Sequence, residues 1–161
     1  MTVLAFVGIG SNQGDPLRHV TTAVDELQAL SSEPVRTSPM YGSKAIGPGE
    51  QPDYVNAVAC LRTGLPPAEL LSELQHVERN HKRVRGQQWA ARTLDLDLLV
   101  YGDSVIDQPE LQVPHPHLAE RPFVLYPLFD LDPDLQIPGL GSVRQLLLKC
   151  DKVGIWALQD E

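Results

Sequence analysis

Residues 92–102, RTLDLDLLVYG, alternate with a period of two. Leu94, Leu96 and Leu98 fall on one side; Thr93, Asp95 and Asp97 fall on the other. Successive side chains of an extended strand project to opposite faces, so the segment reads as a β-strand with one apolar face. A chain that contains it must cover the leucines and must find an environment for two carboxylates on the opposite face. Same-face neighbours on a strand stand roughly 7 Å apart. At an effective dielectric near 20, two carboxylates at that spacing repel by about 2 kcal/mol. Arg92 at the strand entrance relieves part of that repulsion. A divalent cation relieves more, and Mg²⁺ favours one or two carboxylates plus substrate phosphate oxygens over a full cage of protein ligands. On this motif alone the simpler reading is the solvent face of a half-exposed strand.

At 161 residues the chain is read as a single domain, residues 1–161, long enough to bury a real core. Its hydrophobic content of 42% suits a soluble globular protein, and no apolar run reaches membrane-spanning length. The opening MTVLAFVGIGSNQG lacks a basic leader and a cleavage pattern, so no signal peptide is read. Cys60 and Cys150 are far apart and suggest neither a disulfide framework nor a CxxC metal site. The cytoplasm is the expected compartment, and a monomer the expected state. A net charge of −8 argues against a nucleic-acid binder. That acidity is uneven. No Asp or Glu lies between Glu78 and Asp95, where Arg79, Lys82, Arg83, Arg85 and Arg92 supply five of the thirteen basic residues. Such a segment can serve a small polyanion or can be a solvated loop, and the run alone does not choose.

Strand and helix patterns alternate along the chain. Residues 3–9 (VLAFVGI) are a short apolar run of the buried-strand kind. Asp15 is placed to cap a helix that opens at Pro16 and carries Leu17, Val20, Val24, Leu27 and Leu30 on one face. Residues 35–41 read as a strand with Pro39 at an edge or bulge, and 42–53 as a Gly/Pro-rich loop. Residues 54–62 form a strand with Tyr54, Asn56, Val58 and Cys60 on one face. Pro66 and Pro67 open a second helix with Leu70, Leu71, Leu74 and Val77 as its apolar face. A long basic loop at 80–91 then leads into the aspartate strand, which has a possible hairpin partner at 104–106. Residues 113–123 read as a Pro-rich loop entering a short helix, 142–149 as another helix, and the last residues as a short strand or tail. The expected class is α+β: a ferredoxin-like βαββαβ core with a mainly antiparallel sheet, helices on one face, and additional C-terminal elements.

Three other groups bear on function. GIGSNQG at 8–14 follows a strand and precedes a helix, but its third glycine comes one residue late for a dinucleotide fingerprint. Gly8, Gly10 and Gly14 are therefore read as turn formers, and no P-loop is present. Tyr54 and Asn56 on one strand face can stack on a flat heterocycle and read its edge, or can be an ordinary core tyrosine with a buried amide. His115 and His117 lack further His or Cys neighbours for zinc, which leaves a phosphate contact or a structural role.

Together these pieces resemble one family closely, the 6-hydroxymethyl-7,8-dihydropterin pyrophosphokinases. The matching stretches are GSN (10–12), GPxxQPDYxNAV (47–58), QxxE (75–78), RVR (83–85), WxxRTLDLDLL (89–99), VPHP (113–116) and ERPFVLYPL (120–128). They run in the family's order along nearly the whole chain. The resemblance implies transfer of pyrophosphate from ATP to the hydroxymethyl group of a reduced pterin, with release of AMP. It implies that Asp95 and Asp97 hold two Mg²⁺ ions. Tyr54 and Phe123 then sandwich the pterin, while Asn56, Ser43 and the backbone near Ile46 read its edges. Arg83, Arg85, Arg92, His115 and Arg121 neutralise phosphate, Gln75 and Glu78 contact the nucleoside end, and Trp89 belongs to a closing loop over the pterin. Arg83 and Arg92 count with the aspartates as catalytic. ATP and the pterin are the expected partners, with no nucleic acid and no membrane.

The sequence departs from the family at a few places. Gln88 precedes Trp89 where many relatives have arginine, Lys44 and Ala45 replace a Pro-rich pair, Ser43 stands for a frequent threonine, and Pro116 for an aromatic. Two other readings share the same residues: a kinase that moves only the γ-phosphate, and a silent binding domain on the same scaffold.

Overall fold

In the computed structural model, residues 2–44, 52–85, 94–150 and 154–158 are described, with the side chains of 82–85 outside the description. β1 (Val3–Ser11) runs two residues beyond its expected end. Asp15 caps α1 (Pro16–Leu27), its carboxylate accepting the Arg18 N–H at 3.3 Å with Pro16 at the first turn. The single strand expected at 35–41 divides into β2 (Arg36–Thr37) and β3 (Tyr41–Ser43). Pro39 lies between them and has no N–H for a ladder. Ser38 bridges the gap: its N–H donates to the Val58 carbonyl at 2.9 Å and its hydroxyl accepts the Val58 N–H at 3.0 Å.

β4 (Tyr54–Thr63) leads to α2 (Pro67–Arg85), and β5 (Asp95–Tyr101) carries the two aspartates. Then come β6 (Ile106–Gln108), β7 (Leu111–Val113), α3 (Pro122–Leu131), β8 (Gln136–Ile137), β9 (Gly141–Ser142), α4 (Val143–Leu148) and β10 (Ile155–Ala157). The described residues form a six-stranded sheet in the order β10-β3-β4-β1-β5, with β2 also paired to β4. Every pairing in it is antiparallel. The fold is α+β.

Two apolar clusters flank this sheet. On one side Val20, Ala23 and Leu27 of α1 and Leu70, Leu74 and Val77 of α2 pack on Ala5, Val7, Ile9, Ala57, Ala59, Leu61, Leu96 and Leu98. On the other side Val124, Leu125 and Leu128 of α3, with Val143 of α4, pack on Phe6, Val58, Cys60, Leu99 and Val100. Helices therefore cover both faces, where the sequence pattern placed them on one. β5 gives two successive residues, Leu99 and Val100, to the second cluster because of a bulge. Val7 pairs with Leu98 but Phe6 pairs with Val100, so Leu99 is an extra residue that resets the alternation.

Three further expectations change. Leu17 is half exposed; the inward face of α1 is His19, Val20, Ala23 and Leu27. Residues 80–85 are not loop but the last turns of α2. The stretch NHKRVR holds neither Gly nor Pro, and the helix breaker Gly86 comes only after it. His81 also fastens these turns. Its Nε2 lies 2.6 Å from a Glu26 carboxylate oxygen, and its Nδ1 lies 2.7 Å from Nδ1 of His19. One of those two Nδ1 atoms must carry the proton that the other accepts. Finally, no strand at 104–106 pairs with β5. β6 and β7 pair with each other in a separate two-stranded ribbon, because both edges of β5 are already engaged. β1 takes one, and on the other Glu78 accepts the Leu96 N–H at 2.7 Å while the His115 N–H donates to the Leu99 carbonyl at 2.9 Å.

Leu74 is fully buried between α2 and the sheet, whereas Leu71 is only half buried. Leu74→Ala is expected to lower unfolding free energy by about 2–5 kcal/mol in denaturant titration. Leu71→Ala should lower it by clearly less; equal losses would contradict the assigned helix orientation.

Candidate active site

The site begins with what β1 lacks. Gly8 and Gly10 stand in the middle of this central strand and point to one face. Gly10 is registered with Asn56 on β4 and Asp95 on β5; Gly8 is registered with Val58 and Asp97. The middle row therefore carries no side chain, and the rows on either side look across it. The two glycines are not turn residues, as the sequence reading had them. Of the three, Gly14 alone has a positive φ, at 65°. A Cβ on Gly10 would come within 3.1 Å of the Asn56 carboxamide oxygen and 3.8 Å of the Tyr54 ring. On Gly8 it would meet Leu99 at 3.4 Å. The cleft exists because β1 is stripped there.

The resulting cavity, about 230 Å³, is lined by Gly8, Gly10, Ser43, Lys44, Tyr54 and Asn56 on one flank. Asp95, Asp97, Arg121, Phe123 and Val124 line the other. Seven of the residues singled out from sequence thus meet in one place: Ser43, Tyr54, Asn56, Asp95, Asp97, Arg121 and Phe123. Asn56 is buried, and its amide donates to the Ser43 hydroxyl at 2.6 Å. The pair leaves the Ser43 proton and the Asn56 carbonyl to face a ligand edge. Asn12, just past the end of β1, donates to the Pro52 carbonyl at 3.2 Å, tying the end of β1 to the approach to Tyr54. Arg121 and Phe123 come from the N-terminal end of α3. The Arg121 guanidinium carbon lies 5.6 Å from the Phe123 ring centroid, and its Nη1 lies 3.8 Å from an Asp97 oxygen. Both partners of that ion pair are substantially exposed, so its worth to stability is small.

His115 approaches from beyond the edge of β5. It shares a second, smaller concavity with Leu96, Asp97 and Pro116, so Asp97 faces both spaces. Burial lowers the His115 pKa below its usual 6.5; nearby Asp97 opposes that shift, and Arg121 and His117 reinforce it. Its Nδ1 accepts the His117 N–H at 3.2 Å. A neutral ring with its proton on Nε2 satisfies both facts and leaves one N–H donor to point outward.

Gln75 is exposed on α2 and does not line the cavity. Glu78 is half buried, and its carboxylate holds the N–H of Leu96, the residue between the two aspartates. The resemblance implies a nucleoside contact for Glu78; in the fold its carboxylate braces the strand that bears Asp95 and Asp97. Arg83 and Arg85 lie in the last turn of α2, and their side chains fall outside the described residues. Ile46, Trp89 and Arg92 also lie outside the described residues. Lys44 was noted from sequence only as a departure, and it lines the cleft.

Among the described residues no group of three or more His, Cys, Asp and Glu converges to cage an ion. Two carboxylates facing an open cleft suit a hard cation that completes its shell with ligand oxygens and water.

The fold and the cleft define an α+β protein that sets an aromatic, amide-edged pocket beside a carboxylate pair flanked by a cationic side chain. The profile of the 7,8-dihydro-6-hydroxymethylpterin-pyrophosphokinase (HPPK) family matches residues 6–133, and the chain belongs to that family. It is 44% identical over 151 residues to the 2-amino-4-hydroxy-6-hydroxymethyldihydropteridine pyrophosphokinase of Pseudomonas aeruginosa, covering 93% of each chain. It is 42% identical over 146 residues to the Haemophilus influenzae enzyme of the same name, covering 90% of this chain and 91% of that one. Among solved structures, wild-type HPPK-DHPS of Plasmodium falciparum with pteroate superposes with a TM-score of 0.73 at 16% identity, over 92% of this chain. This chain spans only 42% of that longer protein, and the likeness concerns the fold.

Because burial holds His115 neutral, its contribution to stability is fully present above pH 6.5 and is lost as pH falls through the lower folded-state value. The imidazole C–H NMR titration of the ligand-free, metal-free protein should place the His115 midpoint below 6.5. Asp97→Asn should lower it further and Arg121→Ala should raise it. Shifts of the opposite sign would contradict this environment.

Proposed function

We propose that the chain transfers the β,γ-pyrophosphoryl group of ATP to the hydroxymethyl oxygen of 6-hydroxymethyl-7,8-dihydropterin, releasing AMP. Membership of the pyrophosphokinase family gives the reaction. One observation connects it to this chain: Asp95 and Asp97 face Tyr54 and Asn56 across the glycine-cleared row of β1, within one cleft. A phosphate-handling flank and a flat-ring flank then lie side by side.

The chemistry asks for an in-line hydroxyl and for neutralised charge, not for a protein nucleophile. The hydroxymethyl oxygen bonds to the β-phosphorus, the bond from that phosphorus to the α,β-bridging oxygen breaks, AMP leaves with the electron pair, and the hydroxyl proton is released. Tyr54 and Phe123 stack on the two faces of the pterin. The Asn56 carboxamide and Ser43 hydroxyl read its hydrogen-bonding edge, together with backbone near Ile46. That orientation fixes where the hydroxymethyl group lies. Asp95 and Asp97 are the carboxylates that would hold Mg²⁺, two ions in this reading. When bound, the metal supplies charge neutralisation at the phosphate oxygens. Arg121 stands beside Asp97, so a phosphate held there meets fixed positive charge as well as the aspartates' cation. Arg83, Arg85 and Arg92 extend that charge, and guanidinium forks suit phosphate oxygens. His115, neutral and with Nε2–H outward, gives a hydrogen bond without adding a full charge. Gln75 and Glu78 stand for the nucleoside end, and Trp89 for the cover that excludes water from the pterin side.

The order β3-β4-β1-β5, antiparallel throughout with α1 and α2 on one face, supports a ferredoxin-like core as the finer description of the fold. We read residues 1–161 as one domain acting as a cytoplasmic monomer. No described helix is long and apolar enough to cross a membrane.

Phosphorus NMR of ATP, Mg²⁺ and the dihydropterin with this protein tests the reaction directly. AMP and a diphosphorylated pterin are expected; ADP with a monophosphate would replace this reading by that of a γ-phosphate kinase. Asp97→Ala should cut turnover by roughly 100- to 1000-fold, the equivalent of several kcal/mol of lost charge stabilisation. Its pterin affinity without nucleotide should stay within about twofold, since no pterin-reading group is removed. Gly10→Val should do the reverse at the level of binding. It fills the space beside Asn56 and should weaken the pterin about tenfold or more, while nucleotide affinity changes little. Comparable loss of both ligands in either variant would contradict the division of the cleft.

A further inference from the structure

β3 is three residues long, yet it carries Ser43, whose hydroxyl accepts the Asn56 amide at 2.6 Å. A strand so short is held by its neighbours. β4 holds one edge. The other edge is held by β10, with Ile155 opposite Ser43, Trp156 opposite Gly42 and Ala157 opposite Tyr41. Two backbone bonds close the ladder at its ends: Lys44 N–H to the Gly154 carbonyl and Leu158 N–H to the Met40 carbonyl, both at 3.0 Å.

The side-chain partner of this ladder is unusual. Tyr41 and Ser43 point to the cleft face, where the Tyr41 hydroxyl donates to the Asp130 carboxylate of α3. Gly42 points to the back. A Cβ built on Gly42 would lie 2.4 Å from both Cε2 and Nε1 of Trp156, and 2.7 Å from Cζ2. The indole thus occupies the volume that any other residue at 42 would need, and it lies directly on the β3 backbone. Trp156 is 36% exposed, so the two main clusters are not where its ring is used. Its contact area is applied to one short strand, the one that presents Ser43.

We propose that Trp156 is a positioning residue for the pterin: its indole, seated on Gly42, clamps β3 so that the Ser43 hydroxyl stays in register with Asn56. This rests on the pterin reading of the cleft given above. Trp156 touches no substrate and acts only through β3. Its influence should therefore be confined to the pterin side, because β4 and β1 both lie between β3 and the aspartates of β5.

Isothermal titration calorimetry with 6-hydroxymethyl-7,8-dihydropterin and, separately, with a non-hydrolysable Mg-ATP analogue tests this in the full-length chain. Wild-type protein is measured first. Failure of wild type to bind the pterin would remove the functional reading itself; the variants address the clamp. Trp156→Ala is expected to raise the pterin Kd about tenfold, a change of about 1.4 kcal/mol, with nucleotide Kd within about twofold. Trp156→Phe, which keeps a flat ring over Gly42, should recover most of the loss. Gly42→Ala should reproduce it, because the added methyl displaces the indole. Should Trp156→Ala not fold by circular dichroism, the Phe and Gly42→Ala proteins carry the same comparison. Unchanged pterin affinity in Trp156→Ala or Gly42→Ala, or equal weakening of pterin and nucleotide, would overturn the proposal.

Discussion

The double pairing of β1 fixes everything else in this molecule. It is the strand with long ladders on both edges, to β4 and to β5, and its register decides which residues of those strands face each other. A slip of one residue would turn every side chain of a strand to the opposite face. Asn56 and Asp95 are then neighbours through Gly10, and Val58 and Asp97 through Gly8. The same register sends Ala5, Val7 and Ile9 into the cluster under α1 and α2, and Phe6 into the cluster under α3. Core and cleft come from one hydrogen-bond ladder, so a change in its register would disturb both.

Much of this was legible in the sequence. The period-two pattern of Leu94 to Leu98 identified the aspartate strand and its two faces. Pro16 after Asp15, and Pro67 before a helical run, marked the two helix starts. Which side chains meet in the cleft was legible because they are of distinct types and belong to stretches that resemble one family. The misreadings have physical causes. Two glycines after an apolar strand look like a turn when backbone freedom is the property considered; here the missing side chain matters, and only the pairing partners reveal that. Residues 80–85 read as loop because they are densely charged, whereas they hold no helix breaker and their anchors, His81 to Glu26 and His19, are distant in sequence. The single strand expected at 35–41 divides because Pro39 interrupts it and Ser38 supplies the replacement bonds. Helices on the second face were not evident, since the bulge that turns Val100 to the same side as Leu99 and widens the apolar surface under α3 is invisible to a pattern with fixed period.

Long-range contacts of modest size organise the rest of the site. The Glu78 carboxylate reaches from α2 to the backbone between the aspartates. The His115 N–H reaches the Leu99 carbonyl from the loop beyond β7. Asn12 reaches Pro52. Each satisfies a backbone or amide group that would otherwise need water, and each fixes one wall of the cleft to another element. The flank of Ser43, Tyr54 and Asn56 depends on β3 and β4, and the flank of Asp95 and Asp97 on β5; β1 and the start of α3, which brings Arg121 and Phe123, are common to both.

The position of β5 at the sheet's end has a consequence for the protein in concentrated solution. An edge strand with a leucine-rich face and free backbone groups invites another chain to add to it. Here the Leu96 N–H is occupied by Glu78 and the Leu99 carbonyl by the His115 backbone. Asp95 and Asp97 put two like charges on the same short edge, where an identical strand laid alongside would bring four together. The carboxylate pair that faces the cleft therefore also discourages the sheet from recruiting a copy of itself.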